Sequence, residues 1–156
     1  MRLATASYAA TAADVRAVIA AYAQAIDDGR HHDIAAMFCE DGSVDLPMAG
    51  VVTGRAALLA LFGEGGKSPG LSRHLVTGTH VTRWSAHHAV AISDLIVVGR
   101  AGGASWGFPA VGRYFDLLHC REGSWRFHAR TLRFTDDGSP PGSPAADTTA
   151  LNRKVS

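Results

Sequence analysis

The apolar positions of this chain change their period part-way along. Val15, Val18, Ile19, Tyr22, Ala23 and Ile26 recur at i, i+3, i+4, i+7, i+8 and i+11, the stripe of an amphipathic helix. Thr11 and Asp14 stand in capping-box register ahead of it, and Asp28-Gly29 supplies its stop. Ile34, Ala35, Met37 and Phe38 predict a shorter second helix, ending before the turn signal Asp41-Gly42. Residues 43–46 and 51–52 read as two short strands around Pro47 and Gly50, and Ala57, Leu58, Leu61 and Phe62 return to helical spacing over 55–62. Residues 63–70 have the composition of a loop. After that loop the period becomes that of strands. Residues 74–82, 89–98, 105–119 and 125–134 are rich in Val, Ile, Thr and aromatics, with turn signals at 85–87, 99–103 and 121–124. The third of these runs holds Gly107, Pro109 and Gly112, which predict a bulge or bend.

Helices followed by an antiparallel meander imply the α+β class, with the helices on one face of a curved, mostly antiparallel sheet. Four long strands and a short hairpin would curl into a cone around the first helix, and the open mouth of such a cone suits a small ligand. The expected division is a loose N-terminus over 1–11, a folded domain over 12–135 and a flexible tail over 136–156, where three of the six prolines fall among Gly, Ser, Asp and Thr.

Composition narrows the function classes. At 156 residues the chain has room for one domain and one core. Fifteen Lys and Arg against fourteen Asp and Glu leave a formal charge of +1, with no surplus of cations to grip a nucleic-acid backbone. No apolar run approaches the roughly 20 residues that span a bilayer, so no membrane partner is expected. Met1 to Thr11 lacks the apolar segment of a secretory signal, and two cysteines make no disulfide framework; the expectation is a cytoplasmic protein. Eight histidines are the compositional oddity, because histidine titrates near neutral pH.

Several motifs look like chemistry and fail on context. Gly103-Ala-Ser105-Trp-Gly107 matches the nucleophile-elbow pattern, but a strand follows it where a helix is required. Gly66-Lys67-Ser68 resembles the end of a phosphate-binding loop, yet Leu61 stands where the first glycine belongs and Pro69 blocks the following helix. His31-His32 and His87-His88 are adjacent pairs that share neither a helix face nor a strand face, so they read as surface histidines and no metal site is expected. Cys39, placed at the second helix end, and Cys120, closing a strand, read as small buried hydrophobes. His80, His119 and His128 lie in strands without an assigned task.

Two residues carry the candidate chemistry. Asp27 ends the first helix, where the helix dipole disfavours a carboxylate that has no partner. His74 opens the first long strand. If the two meet, the carboxylate fixes the imidazole tautomer and leaves the other ring nitrogen free to move a proton, with no metal or cofactor needed. Such a pair suits proton abstraction beside a carbonyl, loss of water, or ring closure. Tyr22 or Tyr114 could polarise the substrate oxygen. Trp106, Phe108, Met48, Phe62 and Leu71 are apolar residues expected near the mouth, suited to a flat hydrophobic substrate, although each could equally be core.

In order and spacing, Tyr22-Ala-Gln-Ala-Ile-Asp27, Ala36-Met-Phe38-Cys-Glu-Asp41-Gly, Gly50-Val-Val-Thr-Gly54-Arg55, Ser72-Arg73-His74, Gly112-Arg-Tyr114-Phe-Asp116 and Ser124-Trp125-Arg-Phe resemble the SnoaL-like branch of the NTF2-like superfamily over about residues 12–135. The resemblance implies a cone-shaped α+β barrel. It implies kinship with scytalone-dehydratase-like lyases, ketosteroid-isomerase-like enzymes and polyketide cyclases. It also implies that Asp27 and His74 act on a small hydrophobic ring-containing or polyketide-type molecule, with Tyr22 the catalytic candidate read beside them. Gly78 departs from the pattern, since the family often has Asn four residues after this histidine. An epoxide-opening variant would pair Asp94 or Asp116 with Arg113 or Arg130, and the fold also serves non-catalytic binding and dimerisation modules. A homodimer through the outer sheet face is implied as well, with Arg126, His128 and Arg130 alternating against Trp125, Phe127 and Ala129.

Overall fold

The computed structural model describes residues 7–64, 72–100 and 106–135. Its elements run α1 (Tyr8–Asp27), α2 (His31–Ala36), β1 (Phe38–Leu46), β2 (Gly50–Thr53), α3 (Arg55–Glu64), β3 (Ser72–Trp84), β4 (His88–Arg100), β5 (Trp106–Arg121) and β6 (Ser124–Phe134). The strands form one six-stranded sheet in the order β2-β1-β6-β5-β4-β3. All neighbours are antiparallel except β1 and β6, which run parallel.

The buried face of α1 supplies the helical side of the core. Val15, Ile19, Tyr22 and Ala25 pack with Phe38, Val44, Val81, Ala91, Leu95, Tyr114, Leu118, Phe127 and Leu132 from the sheet. The helix starts one turn earlier than the capping-box reading placed it. Ser7 is its N-cap without a side-chain bond, and Thr11 is a buried residue inside it. Its end is as expected, and the cause is visible. Gly29 takes a φ of +66°, the Gly29 N–H donates to Ile26 O, and the Arg30 N–H donates to Ala25 O at 2.8 Å. That is a Schellman closure.

Phe38 opens β1 and does not end α2, and Asp41-Gly42 lies within β1, where a turn was expected. The register of β1 on β6 shifts between Phe38 and Ser43, so the local irregularity that Gly42 marks is a bulge. A Cβ on Gly42 would stand 2.9 Å from Phe127 O, which explains the glycine. The bend expected near Gly107 and Pro109 is present as a register shift against β4 between Val97 and Gly99.

The phase of β6 departs from simple alternation. Its register on β5 shifts between Leu117 and Leu118, which leaves His128 as the additional residue. Phe127 and Leu132 both belong to the core, although an odd number of steps separates them, because the bulge resets the alternation between them. Arg130, expected on the polar outer face with Arg126 and His128, is thereby turned inward and is 1% exposed.

Candidate active site

The Schellman closure fixes Asp27 in the last turn of α1, and α1 lies along β3, the outermost strand at one side of the sheet. An edge strand presents unpaired backbone groups, and α1 covers them with side chains. Arg16 donates to Thr79 O at 3.2 Å, and the His74 N–H donates to both Asp27 carboxylate oxygens at 3.1 Å. The same carboxylate receives the ring: His74 Nδ1 stands 2.7 Å from Asp27 Oδ1. The pair expected from sequence is therefore formed, with side chains 19% and 8% exposed for His74 and Asp27.

The arrangement answers the helix-end problem. A carboxylate at the negative end of a helix is held there by a backbone N–H and an imidazole N–H. With Asp27 accepting from Nδ1–H, the neutral ring keeps its lone pair on Nε2, which makes no hydrogen bond among the described residues. Backbone and ring are clamped by one carboxylate, so the imidazole has little rotational freedom.

A buried polar cluster forms around one of the acid–arginine pairings that the sequence offered only as an alternative. Asp116 and Arg130 face each other across β5 and β6 and form a two-pronged ion pair, with Nε–Oδ1 and Nη2–Oδ2 both 2.8 Å and both side chains 0% exposed. The guanidinium lies 4.2 Å from the Tyr22 ring centroid, 4.0 Å from Tyr114 and 4.2 Å from Phe127. These cation–π contacts take the place of solvent on its faces. Burial alone would lower the affinity of Arg130 for its proton, but the Asp116 carboxylate more than offsets this, and the guanidinium stays charged.

Tyr22 and Tyr114 line this cluster, each 2% exposed. Burial pushes the Tyr22 phenol from 10.0 to about 12, against the opposing pull of Arg130. Burial also raises Tyr114, which feels Tyr22, Asp116 and Asp27 as well. Both therefore remain O–H donors across the neutral range, as polarising a substrate oxygen requires. An acid within the apolar run Tyr114-Phe-Asp116-Leu-Leu was the available signal that a buried cation must face it, since a buried lone carboxylate is strongly disfavoured.

The other expected contacts divide. Phe62 packs against the core, its ring 6.1 Å from Tyr22. Met48, Trp106 and Phe108 are exposed at 69%, 55% and 73%. Leu71 lies outside the described residues, as do the segments 136–156 and 1–6. Asp94 meets Arg113 at 2.7 Å through half-exposed side chains. Gly78, the position that departs from the resemblance, takes a φ of +61° at a register shift of β3, a left-handed bulge.

Comparison with known proteins agrees with this architecture. The family described as a SnoaL-like domain matches residues 7–131. No curated protein matches the chain. Among solved structures, a protein of unknown function from Mycobacterium tuberculosis is 25% identical, with a TM-score of 0.71 over 91% of this chain and 84% of that one. A candidate scytalone dehydratase from Novosphingobium aromaticivorans is 24% identical, with a TM-score of 0.67 over 85% and 93%. An NTF2-like protein with a cystatin-like fold from the same organism is 23% identical, with a TM-score of 0.70 over 88% and 86%.

Proposed function

Because the chain belongs to the family of SnoaL-like domains, we propose that it is a general acid–base enzyme in which His74, oriented by Asp27, moves a proton on a small hydrophobic ring-containing or polyketide-type substrate. The observation that carries this reading is the 2.7 Å contact between His74 Nδ1 and Asp27 Oδ1, with Nε2 left open. The reaction is dehydration, isomerisation or cyclisation, and these share one demand: a C–H beside a carbonyl must be deprotonated and a neighbouring oxygen held. His74 Nε2 takes the proton. Asp27 stabilises the imidazolium that results, and Tyr22 or Tyr114 donates to the developing enolate oxygen. In a dehydration the same proton then returns to the departing hydroxyl, so the cycle closes with no added cofactor.

The reading as a non-catalytic binding module expects His74 exposed and apart from Asp27, and a clamped, mostly buried pair favours catalysis over it. Epoxide opening needs a carboxylate free to activate water. The epoxide-opening reading expects an acid–arginine pair with His74 left outside; Asp116 and Arg130 do pair, but both side chains are 0% exposed and His74 is held by Asp27, which weighs against that chemistry.

The experiment is a panel of bicyclic aryl ketones and β-hydroxy ketones, assayed for solvent deuterium uptake beside the carbonyl and for loss of water. Wild-type protein should turn over at least one member, and His74→Gln and Asp27→Asn should lose that turnover while keeping their folded circular-dichroism spectra. Equal rates in all three proteins would dispose of the proposal.

A further inference from the structure

A second cluster of chemically capable side chains sits away from Asp27 and His74. Cys39, His119 and His128 come from β1, β5 and β6 and are distant in sequence, yet one ligand atom of each lies within 4.8 Å of the others. Each directly follows a core residue, Phe38, Leu118 or Phe127, so strand alternation sends all three to the outer face of the sheet. The same two irregularities described above deliver them there. The bulge in β1 follows Cys39, and the bulge in β6 is His128 itself.

The rings of His119 and His128 are stacked, 4.2 Å apart and 9° from parallel, and His88 meets His119 edge-on at 4.6 Å. Cys39 is 7% exposed and free of any disulfide. Asp41 Oδ1 stands 3.8 Å from His128 Nδ1. A thiol and two imidazoles converging at the same point are the donor set of a borderline-soft divalent ion, and a nearby carboxylate is the usual outer partner of a ligating histidine.

We infer that Cys39, His119 and His128 form a binding site for a zinc-class divalent cation on the outer face of the sheet, with Asp41 as its carboxylate neighbour. Tetrahedral ligands at zinc distances stand about 3.3–3.8 Å apart, so the three side chains close by about 1 Å around the ion. On binding, the Cys39 thiol gives its proton to solvent and coordinates as thiolate, and each imidazole offers one nitrogen lone pair. The fourth position is left to water or to Asp41. The site is independent of the proposed catalytic pair. His119 is in register with His88 at the start of β4, whereas His74 is in register with Val97 near its end, about 30 Å along the strand.

The test is a titration of the tag-free full-length protein with Zn2+, in competition with a chromophoric chelator, together with Co2+ substitution followed by absorption. One equivalent of Zn2+ should bind. The Co2+ form should show a thiolate-to-metal charge-transfer band and the intense visible bands of a tetrahedral ion. Cys39→Ser and His128→Asn should each weaken Zn2+ binding roughly 100-fold and abolish the charge-transfer band, while His31→Ala/His32→Ala leaves both unchanged. Should Cys39→Ser fail to fold, His128→Asn, whose side chain is 20% exposed in the parent, carries the test alone. Absence of stoichiometric binding would overturn the inference. So would binding that survives His128→Asn, or that is lost with His31 and His32.

Discussion

Asp27 holds a carboxylate where four backbone carbonyls of α1 already point, and it stays there because one side chain serves two donors on a neighbouring strand. The backbone N–H of His74 fixes the strand, and Nδ1–H fixes the ring. Removal of the base should therefore affect chemistry more than folding. His74→Gln is expected to lower turnover roughly 10²–10⁴-fold, the usual contribution of a positioned base, with a melting temperature close to wild type. The steady-state rate on a responsive ketone, set beside a thermal melt, checks this. Tyr22 gives a separate prediction through pH. Its phenol is fully buried and raised from 10.0 to about 12, so the folded state favours the protonated form. The stability it contributes is complete below pH 10 and is lost as the pH rises through about 12, by roughly 2–3 kcal/mol. Urea titrations at rising alkaline pH should show this slope in wild type, and Tyr22→Phe should reduce it, leaving the part that comes from Tyr114, which burial raises in the same direction.

Among the elements, β6 carries the most consequence for its length. The extra residue at His128 puts Phe127, Arg130 and Leu132 on the inner side and leaves His128 outside. Alternation along residues 125–130 could not reveal that shift, because a bulge is decided by the pairing partner and not by the strand that contains it. The long strands, α3 and the end of α1 were legible, since their periods are strong and their stops are glycine-rich. The boundary between α2 and β1 was not, because Phe38 completes a helical stripe as well as it begins a strand. The same elements predict contrasting glycine substitutions. A Cβ on Gly112 would meet Arg133 O at 2.6 Å, so Gly112→Ala must push β5 and β6 apart and should cost about 1–3 kcal/mol in urea denaturation. Gly63 lies in α3 with nothing within 4 Å of an added Cβ, so Gly63→Ala should be neutral or gain up to about 1 kcal/mol.

Over the described residues the molecule is a sheet wrapped on a helix, and its interior holds a fully buried ion pair. Asp116 and Arg130 are both fully enclosed, and cutting either side leaves the other charge buried without a partner. Asp116→Ala should destabilise the fold by about 3–5 kcal/mol, read from the denaturation midpoint. Simultaneous replacement of both residues by apolar ones should recover much of that loss. At this scale the sequence showed the fold class and the two ends of the proposed catalytic pair, because helix end and strand start are local features. It offered Asp116 with Arg130 only as one of several acid–arginine pairings, and it did not show that Cys39 would share a point in space with His119 and His128. The central claim is that the clamped imidazole moves protons. It is tested most directly by deuterium uptake beside the carbonyl of a bicyclic aryl ketone in D2O, compared between wild type, His74→Gln and Asp27→Asn. The account predicts uptake catalysed by wild type and reduced at least 100-fold in His74→Gln, with Asp27→Asn also impaired. Uptake at the wild-type rate in both variants would contradict it.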